Sequence, residues 1–175
     1  AIRITGSGQR RRDGSFAFKG SGEQSQYGPF DIVLDGNISR PKIDLVLAHP
    51  VDSLGLGGVK LGLDPTPQGF AWRAAGQSAL GPFTGNGQIL LPSGQPATIE
   101  VATLDVSGTR ANGSLRSDPG GFTGQLAVLG GGVDGRLLFS PQGEIQRIEG
   151  HLTARNARFE GTQLISAQRG ALDGD

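Results

Sequence analysis

The stretch GGGVDGRLLFSPQG, residues 130–143, opens on a glycine triplet and closes on Pro141-Gln142-Gly143, with an apolar run between. A glycine cluster of this kind can cradle a phosphate, loop around calcium, or punctuate β-strands. A phosphate cradle needs a helix directly after the glycines, and no helical spacing follows. A calcium β-roll needs tandem nonapeptides, and Gly130-Gly131-Gly132-Val133-Asp134 is a single imperfect copy. Period two fits instead: Val133, Leu137 and Phe139 fall on one face of a strand that is turned at both ends. Gly135, in register between Val133 and Leu137, is expected to leave room on that face for something that is not protein.

The same grammar runs through the chain. Phe16 and Phe18 alternate, then Phe30, Ile32 and Leu34, then Ile43, Leu45 and Leu47, then Val59, Leu61 and Leu63. Phe70 and Trp72 follow, then Phe83, Ile89 and Leu91 with Gly85 and Gly87 between them, then Ile99 and Val101, and Phe122, Leu126 and Val128. Polar residues often occupy the intervening positions, and helical spacing is sustained nowhere, so the chain is all-β. Turns are expected at Asp13-Gly14, Asp35-Gly36, Asn112-Gly113, Asp118-Pro119-Gly120 and Pro141-Gln142-Gly143. Pro41, Pro65, Pro92, Pro119 and Pro141 stand 24, 27, 27 and 22 residues apart. That register predicts a repeated unit of two antiparallel strands, each of ~8–10 residues, joined by a tight turn.

Composition decides between ways of arranging such units. The 175 residues suit a single domain, but only 35% are apolar and 31 are glycine. A sandwich or filled barrel needs large residues at its centre, and here each apolar set has two or three, interrupted by glycine or alanine. Strands that bend at glycine predict an elongated antiparallel meander curled into an open hydrophobic trough. Its candidate lining is Phe30, Ile32, Leu34, Leu45, Leu61, Leu63, Phe70, Trp72 and Phe83 in the first half of the chain. Ile89, Leu91, Val101, Phe122, Leu126, Val128, Val133, Leu137 and Phe139 continue it. At ~4.8 Å per strand, about 12–14 strands would make a trough ~55–65 Å long.

Other chemistries find little support. Sixteen basic residues balance sixteen acidic ones, which gives no electrostatic reason to bind nucleic acid; Arg10-Arg11-Arg12 reads as a solvated turn or strand end. There is no cysteine, hence no disulfide or thiolate chemistry. His49 and His151 are isolated, and Asp31, Asp35 and Asp44 are scattered on polar strand faces with no pair that can be argued to converge. No serine has a nucleophile-elbow context. Gly6-Ser7-Gly8 and Gly85-Asn86-Gly87 precede no helix. The chain reads as a non-enzyme that needs no cofactor and no metal. One Trp and one Tyr are too few for the aromatic girdles of a membrane barrel. A filled solenoid or adhesin-type module, or an all-β scaffold without ligand, stays open on the same alternation. No apolar run approaches a transmembrane helix. The opening AIRIT, without methionine, reads as a piece cut from a longer protein whose anchor would lie elsewhere. Its terminal strands are then expected to expose unpaired edges and to self-associate.

The phrase GSLRSDPGGFTGQLAVLGGGVDGRLLFSPQGEIQRIEGHLTARNARFEG, residues 113–161, resembles the C-terminal part of the TamB family, within the wider AsmA-like group. The resemblance lies in a glycine-rich hairpin, the alternation ending in Gly135-Arg136-Leu137-Leu138-Phe139, a proline-glycine turn, and the strand Leu152-Thr153-Ala154-Arg155-Asn156-Ala157 leading to Phe159-Glu160-Gly161. It implies a tapering periplasmic β-structure with a hydrophobic groove, whose parent is anchored in the inner membrane of a Gram-negative bacterium. It implies phospholipid acyl chains as cargo between inner and outer membranes. It further implies support of outer-membrane protein assembly, with a TamA-like barrel as partner through other parts of the parent and outer-membrane proteins as clients.

Overall fold

The computed structural model describes residues 2–24, 28–51, 55–143, 145–154, 157–166 and 172–174. Among these residues there is no helix, and they form fourteen strands. They are β1 (Ile2–Arg10), β2 (Phe16–Gln24), β3 (Gly28–Asn37), β4 (Arg40–Leu47), β5 (Gly57–Thr66), β6 (Gly69–Ser78) and β7 (Gly81–Leu90). The second half comprises β8 (Thr98–Val106), β9 (Thr109–Asp118), β10 (Gly121–Gly130), β11 (Val133–Gln142), β12 (Ile145–Ala154), β13 (Ala157–Ser166) and β14 (Leu172–Gly174). Each strand pairs antiparallel with the next, so one sheet runs in sequence order and its first and last strands do not meet. The result is a single open layer, curled and not closed into a barrel. The single strand expected at Leu152–Ala157 is divided instead: Leu152–Ala154 end β12, Ala157 opens β13 and pairs back with Ala154, and Arg155 and Asn156 lie outside the described residues.

Because the meander alternates direction, its connections fall on two rims. On one rim lie the β3–β4, β5–β6, β7–β8, β9–β10 and β11–β12 connections, and all five prolines in register lie in or within two residues of them. A proline there interrupts little of the ladder, since it sits where pairing ends. The other rim uses a different device: Ser107 and Gly108 (φ 52° and 90°) and Gly131 and Gly132 (φ 61° and 81°) join β8 to β9 and β10 to β11. Two successive positive φ angles make the tight hairpin turn whose twist matches the strands on either side. The glycine triplet is thus a turn, not a ligand loop.

Two expected turns are displaced. Asp35-Gly36 closes β3, and the chain reverses at Ile38-Ser39. Asn112-Gly113 lies inside β9, where Gly113 pairs with both Val101 and Leu126. The Asn-Gly pair misleads because Gly113 serves close packing between strands. A Cβ there would meet the Gln125 carbonyl oxygen and, at 3.1 Å, Leu126 Cα.

The sheet bends most sharply around β9–β12. Second-neighbour strands in a flat sheet are about 9.6 Å apart, yet β9 comes within 8 Å of β11 and β10 within 8 Å of β12. In β8, the ladder to β9 shifts register between Val101 and Leu104, a bulge that adds to the bend. Here the buried core forms: Val101, Ala111, Leu115, Leu126 and Val128, with Leu104, Leu137, Phe139 and Leu152 packed against it. Elsewhere only Phe30 and Val51 are buried apolar residues among those described. The accessible surface, 11108 Å², exceeds the roughly 8,100 Å² expected of a compact monomer of this mass. One layer, with no second layer over it, accounts for the excess.

Candidate functional site: the uncharged face of the sheet

Residues paired across an antiparallel ladder point to the same side, so the register sorts the side chains of the sheet without ambiguity. From Phe16 in β2 to Ala154 in β12, no Asp, Glu, Lys or Arg of a strand stands on the face that carries Phe18, Leu45 and Leu126. Lys19, Asp31, Lys42, Lys60, Arg73, Glu100, Arg116 and Arg136 all stand on the other. The sheet bends toward its uncharged side, which makes that side the inside of the trough.

Side chains on this inner face line up in rows along the trough axis. One row reads Phe18, Leu34, Ile43, Leu63, Trp72, Gly87, Val101, Gly113, Leu126, Leu137 and Gly150. A second runs Gly20, Ile32, Leu45, Leu61, Ala74, Gly85 and Leu104. All the candidate lining residues lie on this face except Leu91, which follows β7 in a loop and is 44% exposed. Phe30 is buried at one margin, Phe122 exposed at the other, and Phe70, Phe83, Ile89, Val133 and Phe139 are half-buried.

In the first row Phe18 to Trp72 form an unbroken run of large side chains, and beyond Trp72 the row is interrupted by Gly87, Gly113 and Gly150. The Phe18 ring lies against Gly6 and Gly20, the Phe30 ring over Gly22, and the Phe83 ring beside Gly76. Trp72 reaches furthest. Its indole covers Gly85 and Gly87 of β7, and Nε1–H donates to the Glu100 carbonyl oxygen of β8 at 3.0 Å. These glycines seat neighbouring rings. Gly135 is a different case and corrects the expectation of free space there. With φ of 156°, its absent Cβ would strike the His151 carbonyl oxygen and lie 2.8 Å from Leu152 Cα. The neighbouring backbone fills that space.

Several inner residues carry little apolar signal in the sequence. Ala111 and Leu115 sit in TRANGSLRSD, where the inner face is marked mainly by the charges it lacks: Arg110, Asn112, Ser114 and Arg116 alternate on the other side. Leu104 is hidden by the bulge, which puts it three residues after Val101 instead of two.

The outer face is polar and cross-linked. Arg73 crosses Gly62 to reach Asp44 at 2.7 Å and Asp64 at 2.5 Å, and Lys42 stands 3.7 Å from Asp64. So Asp44 does converge with another carboxylate, Asp64, on a guanidinium between them. Asp31 accepts a hydrogen bond from Ser21 at 3.0 Å. From the arginine triplet, Arg11 donates to both Asp35 oxygens at 2.7 and 3.1 Å. This hydrogen-bonded pairing holds the Asp35 carboxyl below its ordinary value. Asp118 is lowered by Arg116 and then by Thr123. His49 is exposed in the β4–β5 connection and His151 lies in β12 on the outer face. Among the described residues no three His, Asp or Glu side chains are grouped as metal ligands.

The geometry therefore defines a class: a single-sheet trough with an uncharged apolar interior and a charged exterior. Comparison of the chain with protein-family models, curated proteins and solved structures finds no match.

Proposed function

We propose that this chain is a segment of a periplasmic bridge whose trough guides phospholipid acyl chains between the inner and outer membranes, as in the TamB-like proteins its C-terminal third resembles. The observation that carries the reading is the complete sorting of charge between the two faces of β2–β12. A charge-free channel floor suits an occupant that presents methylenes. A lipid with two sixteen-carbon tails exposes roughly 30 of them, each costing ~0.8 kcal/mol in water. The open trough covers the tails on one side while leaving a headgroup in solvent, so it lowers a transfer barrier on the order of 25 kcal/mol without catalysis.

Photocrosslinking in the cell tests this. A photoreactive residue at Leu45 should capture lipid, and one at Thr84, exposed on the outer face, should not. Equal capture from both faces would overturn the proposal. A second reading, that the protein holds strands of outer-membrane clients, draws on β1. Every residue of that strand is exposed, and its outer edge has no partner among the described residues. Polypeptide adducts concentrated at β1, with no lipid at Leu45, would favour it.

A further inference from the structure

The inner face is not uniform along its length. Through β3, β4 and β5 its side chains, apart from Phe30 buried at the margin, are only half-buried, with Ile32, Leu45 and Leu61 directly across from one another, and Leu34, Ile43 and Leu63 in the next row. Through β8, β9 and β10 the same face is closed by its own side chains: Leu126 is 4% exposed, Val128 7%, and Val101, Ala111 and Leu115 each 8%. Between the two reaches, the Trp72 indole spans β7 and is tied to the β8 backbone.

We infer that the trough is divided into an open acyl-chain seat on β3–β5 and a closed reach on β8–β10, which a chain enters only by displacing Leu115 and Leu126. This rests on the reading of the occupant as an acyl chain, supported by the absence of charge from both reaches. Curvature causes the closure. The bulge at Val101–Leu104 and the tight approaches at Gly113, Gly124 and Gly135 bend β8–β12 inward until apolar side chains meet across the floor. An occupant must replace those contacts with its own. Occupancy there is accordingly reduced by the fraction of time the reach is open, while the seat needs no opening.

The test uses the purified chain with vesicles containing a photoreactive fatty-acyl phosphatidylethanolamine, with adducts mapped by mass spectrometry. Adducts on β3–β5 should exceed those on β8–β10 by about tenfold. Leu126→Ala should raise the β8–β10 adducts several-fold and leave β3–β5 unchanged. Should that variant not fold by circular dichroism, Leu126→Val removes less volume and should move the ratio the same way. Ala111→Leu, which adds bulk to the closed reach, should leave the seat adducts intact. Adducts spread evenly along the wild-type trough, or a ratio unmoved in the folded truncation, would overturn the division while leaving the lipid reading standing. No adducts on either reach would overturn the lipid reading itself.

Discussion

At the scale of single residues, glycine has two jobs on the inner face, and they predict opposite mutational outcomes. Gly135 is packed against the backbone of β12 at a φ that L residues rarely adopt. Gly135→Ala should therefore lower stability by about 1–3 kcal/mol, read as a reduced urea midpoint. Gly150 has an ordinary backbone angle, and its nearest neighbour, Leu137 Cδ2, would lie 3.5 Å from an added Cβ. Gly150→Ala should be neutral or stabilise by about 0.4–1 kcal/mol, because it restricts the unfolded chain and fills ordinary space. Equal losses at both positions would mean that crowding along the row, not backbone approach, sets the glycine requirement. Sequence alone placed Gly135 on the correct face but misjudged its surroundings. Alternation tells which side a residue points to; it does not tell how close the next strand comes.

At the scale of elements, the strands and their faces were readable because period two is a property of the local chain. Val133, Leu137 and Phe139 in β11, and Ile32 with Leu34 in β3, follow from it directly. What escaped depends on pairing: the bulge that brings Leu104 inward, the interior position of Asn112-Gly113, and Arg73 reaching two strands. Hairpin ends carry a further prediction. Asp118 at the β9–β10 turn has its carboxyl lowered by Arg116 and Thr123, and Asp35 is lowered by Arg11. A carboxyl depressed in the folded state contributes stability that is fully present above its unfolded value of about 3.9, and that is lost as pH falls through the lower folded value. Urea midpoints should thus fall on acidification below about pH 4, and less steeply in Asp118→Asn. An unchanged pH slope in that variant would remove Asp118 from the account. Asp35 is exposed and Asp118 only partly buried, each beside an exposed arginine, so the effect is small and should shrink further in high salt.

At the scale of the whole molecule, the open sheet leaves the outer edges of β1 and β14 without a partner among the described residues. Ile2 and Ile4 of β1 are 66% and 47% exposed. Long unpaired edges carrying apolar side chains invite another strand. Light scattering should show self-association that rises with concentration, and Ile4→Lys, which points a charge inward at the edge, should reduce it; a variant that associates as strongly as wild type would place the contact elsewhere. The open shape itself was legible from composition, since 31 glycines and few large residues cannot fill a second layer. The uneven depth of the trough was not, because burial arises from curvature and curvature from pairing. The order of the sheet has one more consequence, for how the chain comes to be folded. Every strand is hydrogen-bonded only to the strands before and after it in sequence. Forming the sheet never requires a distant segment to be found, and loop closure, which slows most all-β proteins, costs little at each step. A polypeptide emerging slowly, one end first, can therefore settle strand upon strand as it appears, each new hairpin templated by the last one laid down.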